Sequence, residues 1–153
     1  MILAALCIVQ WDIMTINIQK QNEEDLRKMV ATSVFDGYFE EQAWNKLAHE
    51  GVDKLALDPL VVAAVINTEL VALCIANEKK LLEELNTLLH RFTDSDKKLD
   101  KKEREDAMQY VCKSRPGYLK GLNYQVADRY INEFCKANRV KVKVGIFAWE
   151  IPK

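Results

Sequence analysis

The scarcity of turn-forming residues is the feature that most limits what this chain can fold into. Its 153 residues include only 5 Gly and 3 Pro. A sandwich or barrel of short strands needs a turn roughly every 8–12 residues, and most turns are made with Gly, Pro, Asn or Asp. The composition therefore favours long helices with few connections. The length suits a single domain over 1–153, because a chain of this size buries roughly two-thirds of its unfolded surface without staples.

Apolar residues at helical spacing predict a mostly α fold, a bundle of five to six helices. The segment Pro59–Ala76 contains a single charged residue, Glu69, and follows Asp58, which suits an N-cap before a proline at the first helical position. A helix with so little charge is expected to be buried on most sides, so we place it at the centre of the bundle. Glu69 near its middle argues against a membrane span.

Two segments near the ends of the chain alternate between apolar and polar residues. Met14–Gln19 does so, and Val140–Val144 alternates valines with Lys141 and Lys143. A period of two predicts half-exposed strands. We expect a minor β element in which these two strands pair with each other, because an unpaired strand leaves its backbone groups unsatisfied. Lysines turned to water on a strand also discourage edge-to-edge aggregation.

The beginning of the chain, Met1–Val9, is apolar throughout. It has no basic residues at its start and is shorter than the roughly 20 residues that span a bilayer, so neither a secretory signal nor a membrane helix is expected. Two interpretations remain open. The segment is a buried terminal strand, or the natural start is Met14 and the first 13 residues are an upstream extension.

Charge is distributed unevenly along the chain, although its net value is −1. The segment 113–153 carries nine basic and three acidic residues, a net charge of +6, whereas the remainder carries 13 basic and 20 acidic residues, a net charge of −7. Basic side chains neutralise phosphates and aromatic rings stack on unpaired bases, so this third could bind nucleic acid. An acidic protein partner, or packing of the protein on itself, fits the same polarity. The candidate binding residues are Arg115, Tyr118, Lys120, Arg129, Lys136, Arg139, Lys141 and Lys143.

An acidic turn between two helical segments is a candidate divalent-cation site. Asp94, Asp96, Asp100 and Glu103 place four carboxylates in one short stretch, and calcium sites draw several oxygen ligands from one such loop. The loop is one residue short at its start, and Lys97 stands where these loops have a glycine. The simpler interpretation is that Asp96 or Asp100 caps the following helix with support from Glu103.

The same residues, Thr93–Glu103, are similar to the acidic helix–turn–helix of the tellurite-resistance TerB-like family, in which a Ser-Asp-Gly turn precedes an apolar residue and a glutamate. Leu99 and Glu103 match the apolar residue and the glutamate. The chain lacks the glycine and a second copy of the motif, so the resemblance implies no membership.

Sequence motifs of catalysis and cofactor binding are absent. No Gly-rich phosphate loop, His-Glu-x-x-His or Gly-x-Ser-x-Gly sequence occurs, so no cofactor is expected. The four cysteines are far apart, which favours buried thiols in a reducing, cytoplasmic setting over a disulfide or zinc framework. A nucleophilic pair of Cys74 with His90 or His49 stays open, because such partners meet in space rather than in sequence.

The first functional hypothesis is a non-catalytic protein-binding module, such as a small adaptor, regulator, immunity-type or chaperone-type protein that could also self-associate. Nucleic-acid binding by 113–153 and cation binding at 94–103 are the alternatives.

Aromatic residues cluster at the first helix junction and at the C-terminus. They cover the core or, if several are exposed together, mark a partner-binding patch. These residues are Phe35, Tyr38, Phe39, Trp44, Phe147 and Trp149.

Overall fold

Helices dominate the chain, as the scarcity of turn residues predicts. The structure, a computed structural model, describes residues 2–114, 116–144 and 148–152. Six helices in this described part make up 66% of the chain, with short strands beside them, which confirms a helical bundle with a minor β element. The chain divides into two compact units, Met1–Leu73 (unit 1) and Cys74–Lys153 (unit 2). One cooperative domain over the whole chain stays a prediction.

Unit 1 is built from α1 (Ile2–Ser33), β1 (Tyr38–Phe39), α2 (Glu41–Asp53) and α3 (Pro59–Ala72). α3 packs against both α1 and α2, so it is the element that the other two helices share. The core of the unit consists of apolar side chains from all three helices and their connections. It includes Leu26, Val30, Phe39, Leu47, Leu57, Val62, Val65, Ile66 and Leu70.

The start of α3 follows from its sequence, but its burial does not. Asp58 Oδ1 accepts a hydrogen bond from the Leu60 N–H at 2.8 Å, with Pro59 in the first turn, as predicted. Leu60 is nevertheless 82% exposed and Val71 56% exposed. The predicted central helix over 59–76 is therefore shorter than expected and buries one face rather than most of its surface. Among the described helices, α3 included, none has the length and apolar content needed to cross a membrane.

Polar residues interrupt the apolar sequence of α3 where it meets its neighbours. Glu69 Oε2 lies 3.7 Å from Arg27 Nη1 of α1. Asn67 Oδ1 accepts a hydrogen bond from the indole N–H of Trp44 in α2 at 3.2 Å. Each contact contributes at most about 1 kcal/mol, so their main effect is to orient α3 against both helices.

The predicted N-terminal strand is wrong, because Met14–Gln19 lies inside α1. Around a helix, Met14 and Ile18 fall on one side and Ile16 on the other, so the alternation does not define one buried face. Apolar residues spaced by two also fit a helix that is apolar on several sides, and the pattern alone does not separate these cases. Residues 2–9 also lie inside α1, so the interpretation of this segment as a buried strand is wrong.

A tight hairpin turn follows α1. Asp36 and Gly37 both have positive φ, 53° and 73°. The Tyr38 N–H donates a hydrogen bond to the Phe35 carbonyl oxygen at 3.1 Å. Positive φ at both central residues is the signature of a type I′ turn, for which Asp-Gly is among the favoured sequences. Asp36-Gly37 therefore turns the chain back after the end of α1.

Unit 2 is built from β2 (Ala76–Asn77), α4 (Glu78–Thr93), β3 (Lys98–Leu99), α5 (Lys101–Cys112), α6 (Tyr124–Ala137), β4 (Lys141–Lys143) and β5 (Trp149–Glu150). The three helices pack on one another. Each begins after a residue whose side chain accepts a hydrogen bond from the first turn, namely Asn77, Asp100 and Asn123. Ile131 and Phe134 of α6 are buried, as the helical periodicity predicts.

Three strands of unit 2 form one sheet in the order β3–β4–β5. β3 pairs parallel with β4, with Lys98 opposite Lys141. β4 pairs antiparallel with β5, with Lys143 opposite Trp149. The predicted C-terminal strand is confirmed, but its predicted partner near the N-terminus is wrong. The end of the acidic turn takes that place, because it forms β3 beside β4.

Candidate binding face

The outer face of the β3–β4–β5 sheet carries three lysines and a tryptophan. Lys98 lies opposite Lys141, and Lys143 lies opposite Trp149. Opposed residues project from the same face of a sheet, as do alternate residues along one strand. All four side chains therefore share one face, which we call the basic sheet face.

The inner face of the same sheet turns toward the core of unit 2. Leu99 is 1% exposed, Val140 is fully buried and Val142 is half-buried, whereas Lys141 and Lys143 are exposed. A slip of one residue in the pairing would bring lysines into the core and valines into water. Burial of the inner side chains therefore holds Lys141 and Lys143 in solvent, as predicted for these two residues.

The position of β4 in the sheet decides whether its lysines can serve to protect an exposed strand edge. Lysines on edge strands prevent pairing with other chains, but β4 is the middle strand, flanked by β3 and β5. Edge protection therefore does not explain Lys141 or Lys143. Lys98 and Lys141 also place two like charges side by side on neighbouring strands. The sheet therefore presents three like charges to solvent on one side.

Two acidic residues of the described part lie close in sequence to the basic sheet face, and neither forms an ion pair with its lysines. Glu150 lies opposite Val142 and so belongs to the other side of the sheet. Asp96 Oδ1 accepts a hydrogen bond from the backbone N–H of Lys98 at 3.0 Å. Within the described residues, no acidic side chain forms an ion pair with a lysine of this face.

An aromatic ring lies among these ammonium groups. The Lys98 Nζ sits over the ring of Trp149, 5.4 Å from its centroid. β3 and β5 are the outer strands, so this cation–π contact passes over β4. Such a contact contributes roughly 0.5–1 kcal/mol at an exposed site. The Trp149 side chain is partly exposed, and it adds a stacking surface to the charged face.

The structure divides the predicted binding residues of 113–153 between several places. Lys141 and Lys143 lie on the basic sheet face. Arg129 and Lys136 are exposed on α6. Glu133 falls between them on the same side of that helix and interrupts its positive charge, because residues spaced by four and three share one side.

The remaining predicted residues lie in connections. Arg139 is exposed in the turn before β4, with φ of 55°. Tyr118 is half-buried and Lys120 is exposed, both in the connection between α5 and α6. Arg115 lies outside the described residues. The structure thus gathers two of the eight predicted residues on the basic sheet face.

The acidic turn forms a helix cap. Asp100 Oδ1 accepts a hydrogen bond from the Glu103 N–H at 2.8 Å, and Glu103 Oε2 accepts one from the Asp100 N–H at 2.9 Å. This reciprocal capping box begins α5 and confirms the simpler interpretation. Lys97 adopts a left-handed φ of 54° where a glycine is expected, and Asp94 is exposed. Among the residues that the structure describes, no group of three or more His, Cys, Asp or Glu side chains is placed to hold a metal ion.

Burial makes the Cys112 and Cys135 thiols weaker nucleophiles, whereas the Cys74 side chain is exposed. Burial raises the pKa of the Cys112 thiol. It also raises the pKa of the Cys135 thiol, against a smaller opposing effect of the Arg104 charge. A raised pKa leaves less thiolate, which is the reactive form.

The two histidines are engaged in local contacts. His90 packs edge-on against Phe134, with ring centroids 4.9 Å apart. His49 Nδ1 lies 2.8 Å from the carbonyl oxygen of Asn45, one helical turn away. Within the described residues no hydrogen bond joins Cys74 to His90. The arrangement gives no support to a Cys74–His90 nucleophilic pair.

Unit 1 offers a surface of another kind, an apolar part of α1. Every residue from Met14 to Gln21 is exposed. Met14, Ile16 and Ile18 are 50%, 52% and 54% exposed. We call this stretch the exposed α1 segment. A partner that covers this segment would remove its apolar side chains from water, which is favourable.

The predicted aromatic cluster of unit 1 does not form a patch. Phe39 is 1% exposed, and Tyr38 and Trp44 are half-buried, so these side chains cover the core. Phe35 is 84% exposed. Phe147 lies outside the described residues.

Sequence reasoning missed Lys98 as a binding residue. The sequence places Lys98 in the acidic turn, and only the pairing of β3 with β4 brings it beside Lys141. The one local signal is the dipeptide Lys98-Leu99, which is too short to identify a strand.

No family model matches the chain, and neither a curated protein nor a solved structure matches it significantly.

Proposed function

We propose that this chain is a non-catalytic binding module that holds an anionic macromolecule on the basic sheet face. One observation carries the proposal: Lys98, Lys141 and Lys143 project from one side of the sheet, and no acidic side chain in the described part pairs with them. Phosphate or carboxylate groups release their counterions when such ammonium groups bind them, which favours association at low salt.

The charge of unit 2 supports this proposal. Unit 2 carries 17 basic and 12 acidic residues, a net charge of +5, whereas unit 1 carries five basic and 11 acidic residues, a net charge of −6. Cys74, Cys112 and Cys135 are free thiols, which supports the predicted cytoplasmic location.

The test is a salt titration of binding to a fluorescently labelled heparin fragment and to a labelled oligonucleotide. Three phosphate contacts to a single strand give a slope of log affinity against log salt of about −2, so affinity falls roughly 20-fold between 50 and 200 mM salt. The double variant K141Q/K143Q leaves one phosphate contact, so the slope is expected to become shallower, about −0.7.

The matched control for this experiment is R129Q/K136Q, which removes two charges from the same third of the chain but from α6. We expect its affinity and salt slope to stay close to those of the original chain. If neither probe binds at low salt, or if the control loses as much affinity as K141Q/K143Q, the assignment of the site to the basic sheet face is overturned.

A protein partner is the second candidate function, and the exposed α1 segment favours it. We propose that the segment pairs with that of a second copy of the chain, because its apolar residues are half-exposed in the single chain. Sedimentation equilibrium is expected to reveal a dimer that the M14D/I18D variant loses, because these two residues share one side of α1. The T15D/N17D variant, which changes polar neighbours, is expected to keep the dimer. A chain that stays monomeric at every concentration contradicts this candidate.

A further inference from the structure

We infer that the ligand of the basic sheet face is a single-stranded nucleic acid, one of whose unpaired bases stacks on Trp149. This inference rests on the proposed function, since it names the class of anion that the same face binds. It is carried by the juxtaposition of Trp149 with Lys98, Lys141 and Lys143 on one side of a sheet.

The indole ring distinguishes a nucleic acid from other polyanions. An acidic peptide or a polysaccharide offers charges to the three lysines but no planar base that stacks on Trp149. Base–aromatic stacking is tolerant of sequence, because every base has a π face, and together with a basic surface it is the usual basis of single-strand binding. The composition of the face therefore favours a ligand with both phosphates and exposed bases.

A duplex fits this face less well than a single strand. The bases of a duplex already stack on one another, so they reach Trp149 only after unpairing. The sheet is also formed by strands of two or three residues, and its lysines are only about 5–7 Å apart at the backbone. Such spacing suits successive phosphates of one strand.

The contact between Lys98 and Trp149 indicates which side chains would rearrange when the ligand binds. Lys98 Nζ lies over the ring, 5.4 Å from its centroid. A base that stacks on this ring face displaces the ammonium group. The released Lys98 then pairs with the neighbouring phosphate. Binding thus exchanges a cation–π contact for a base stack and an ion pair, with Lys141 and Lys143 holding the adjoining phosphates.

The experiment compares three labelled probes at low salt by fluorescence anisotropy: an oligothymidylate, a duplex of the same length and poly-L-glutamate. We expect the oligothymidylate to bind most tightly. The W149L variant removes the π face while keeping an apolar side chain, and it is expected to weaken oligothymidylate binding by roughly 5- to 150-fold. Its binding of poly-L-glutamate is expected to stay unchanged.

The conservative variant W149Y separates stacking from folding. It keeps an aromatic ring, so oligothymidylate binding is expected to recover most of what W149L loses, and circular dichroism is expected to give the same helix content for both variants. If W149L binds oligothymidylate as well as the original chain does, or if poly-L-glutamate or the duplex binds as tightly, this inference is overturned while the proposed function stands. If none of the three probes binds, the proposed function fails with it.

Discussion

Units 1 and 2 use polar and apolar side chains in opposite ways at their surfaces. In unit 1 the charged Glu69 lies at a helix contact with Arg27, while Leu60 and the exposed α1 segment turn apolar side chains outward. In unit 2 apolar side chains fill the inner side of the sheet, and lysines without acidic partners in the described part cover the outer side. The comparison teaches that the net charge of −1 conceals two surfaces of different chemistry.

The largest expected effect comes from two glycines, one in each unit. A Cβ at Gly121 in unit 2 would lie 2.3 Å from the carbonyl carbon of Cys112, a backbone atom that cannot move without displacing the end of α5. A Cβ at Gly51 in unit 1 would meet the Val62 side chain at 2.9 Å. We expect Gly121→Ala to lower the free energy of unfolding by about 3 kcal/mol or more, and Gly51→Ala by about 1 kcal/mol, because helix propensity offsets part of its overpacking.

Urea unfolding followed by circular dichroism measures both effects. Gly117→Ala is the control, because Gly117 has φ of 90° and no neighbour within 4 Å, so it is expected to cost only about 1 kcal/mol of backbone strain. Equal losses at Gly121 and Gly117 would contradict the steric argument. A single shared transition in the unit 1 and unit 2 variants supports the predicted single domain, whereas two transitions contradict it.

Helix caps provide a second matched pair of smaller effect. Asp100 in unit 2 belongs to a reciprocal capping box, whereas Asp58 in unit 1 accepts one hydrogen bond. We expect Asp100→Ala to cost about 1–2 kcal/mol of unfolding free energy and Asp58→Ala about 1 kcal/mol. The variants Asp100→Asn and Asp58→Asn keep an acceptor and should lose little. A larger loss at Asp58, or a melting temperature that rises with added calcium, would count against the capping interpretation of the acidic turn.

The smallest expected effect is a gain in stability at left-handed residues. Lys97 in unit 2 and Ala56 in unit 1 have φ of 54° and 50°. An L-residue in this conformation destabilises the fold by roughly 1–2 kcal/mol. A glycine relieves that strain, but its greater freedom in the unfolded chain cancels about half of the gain. Lys97→Gly and Ala56→Gly should therefore each raise the unfolding free energy by up to about 1 kcal/mol in thermal melts. A loss at either position would mean that the replaced side chain contributes a contact that outweighs the strain.

Much of the helical architecture could be predicted because its signals are local. The N-cap at Asp58, the reciprocal cap of Asp100 with Glu103 and the buried face of α6 each depend on residues within one or two helical turns. The strand assigned to Met14–Gln19 failed because a period of two among apolar residues does not exclude a helix whose sides are exposed. The one-sided burial of α3 also escaped prediction, since an apolar sequence does not state which side meets a neighbour.

In the candidate binding site, too, only the features that depend on neighbouring residues could be predicted from the sequence. The alternation of Val140–Val144 was sufficient to predict that Lys141 and Lys143 face water. Nothing local indicated that Lys98, more than forty residues earlier in the sequence, would lie opposite Lys141, or that Trp149 would join them.

The sequence by itself determined the helical class, the starts of α3 and α5 and the polarity of charge along the chain, because these depend on composition and on hydrogen bonds between near neighbours. The tertiary structure decided which strands pair, which face of α3 is buried and which lysines share a surface with Trp149. Those outcomes depend on contacts between residues far apart in sequence. The packing of the whole unit, rather than any local pattern, decides which of these contacts form.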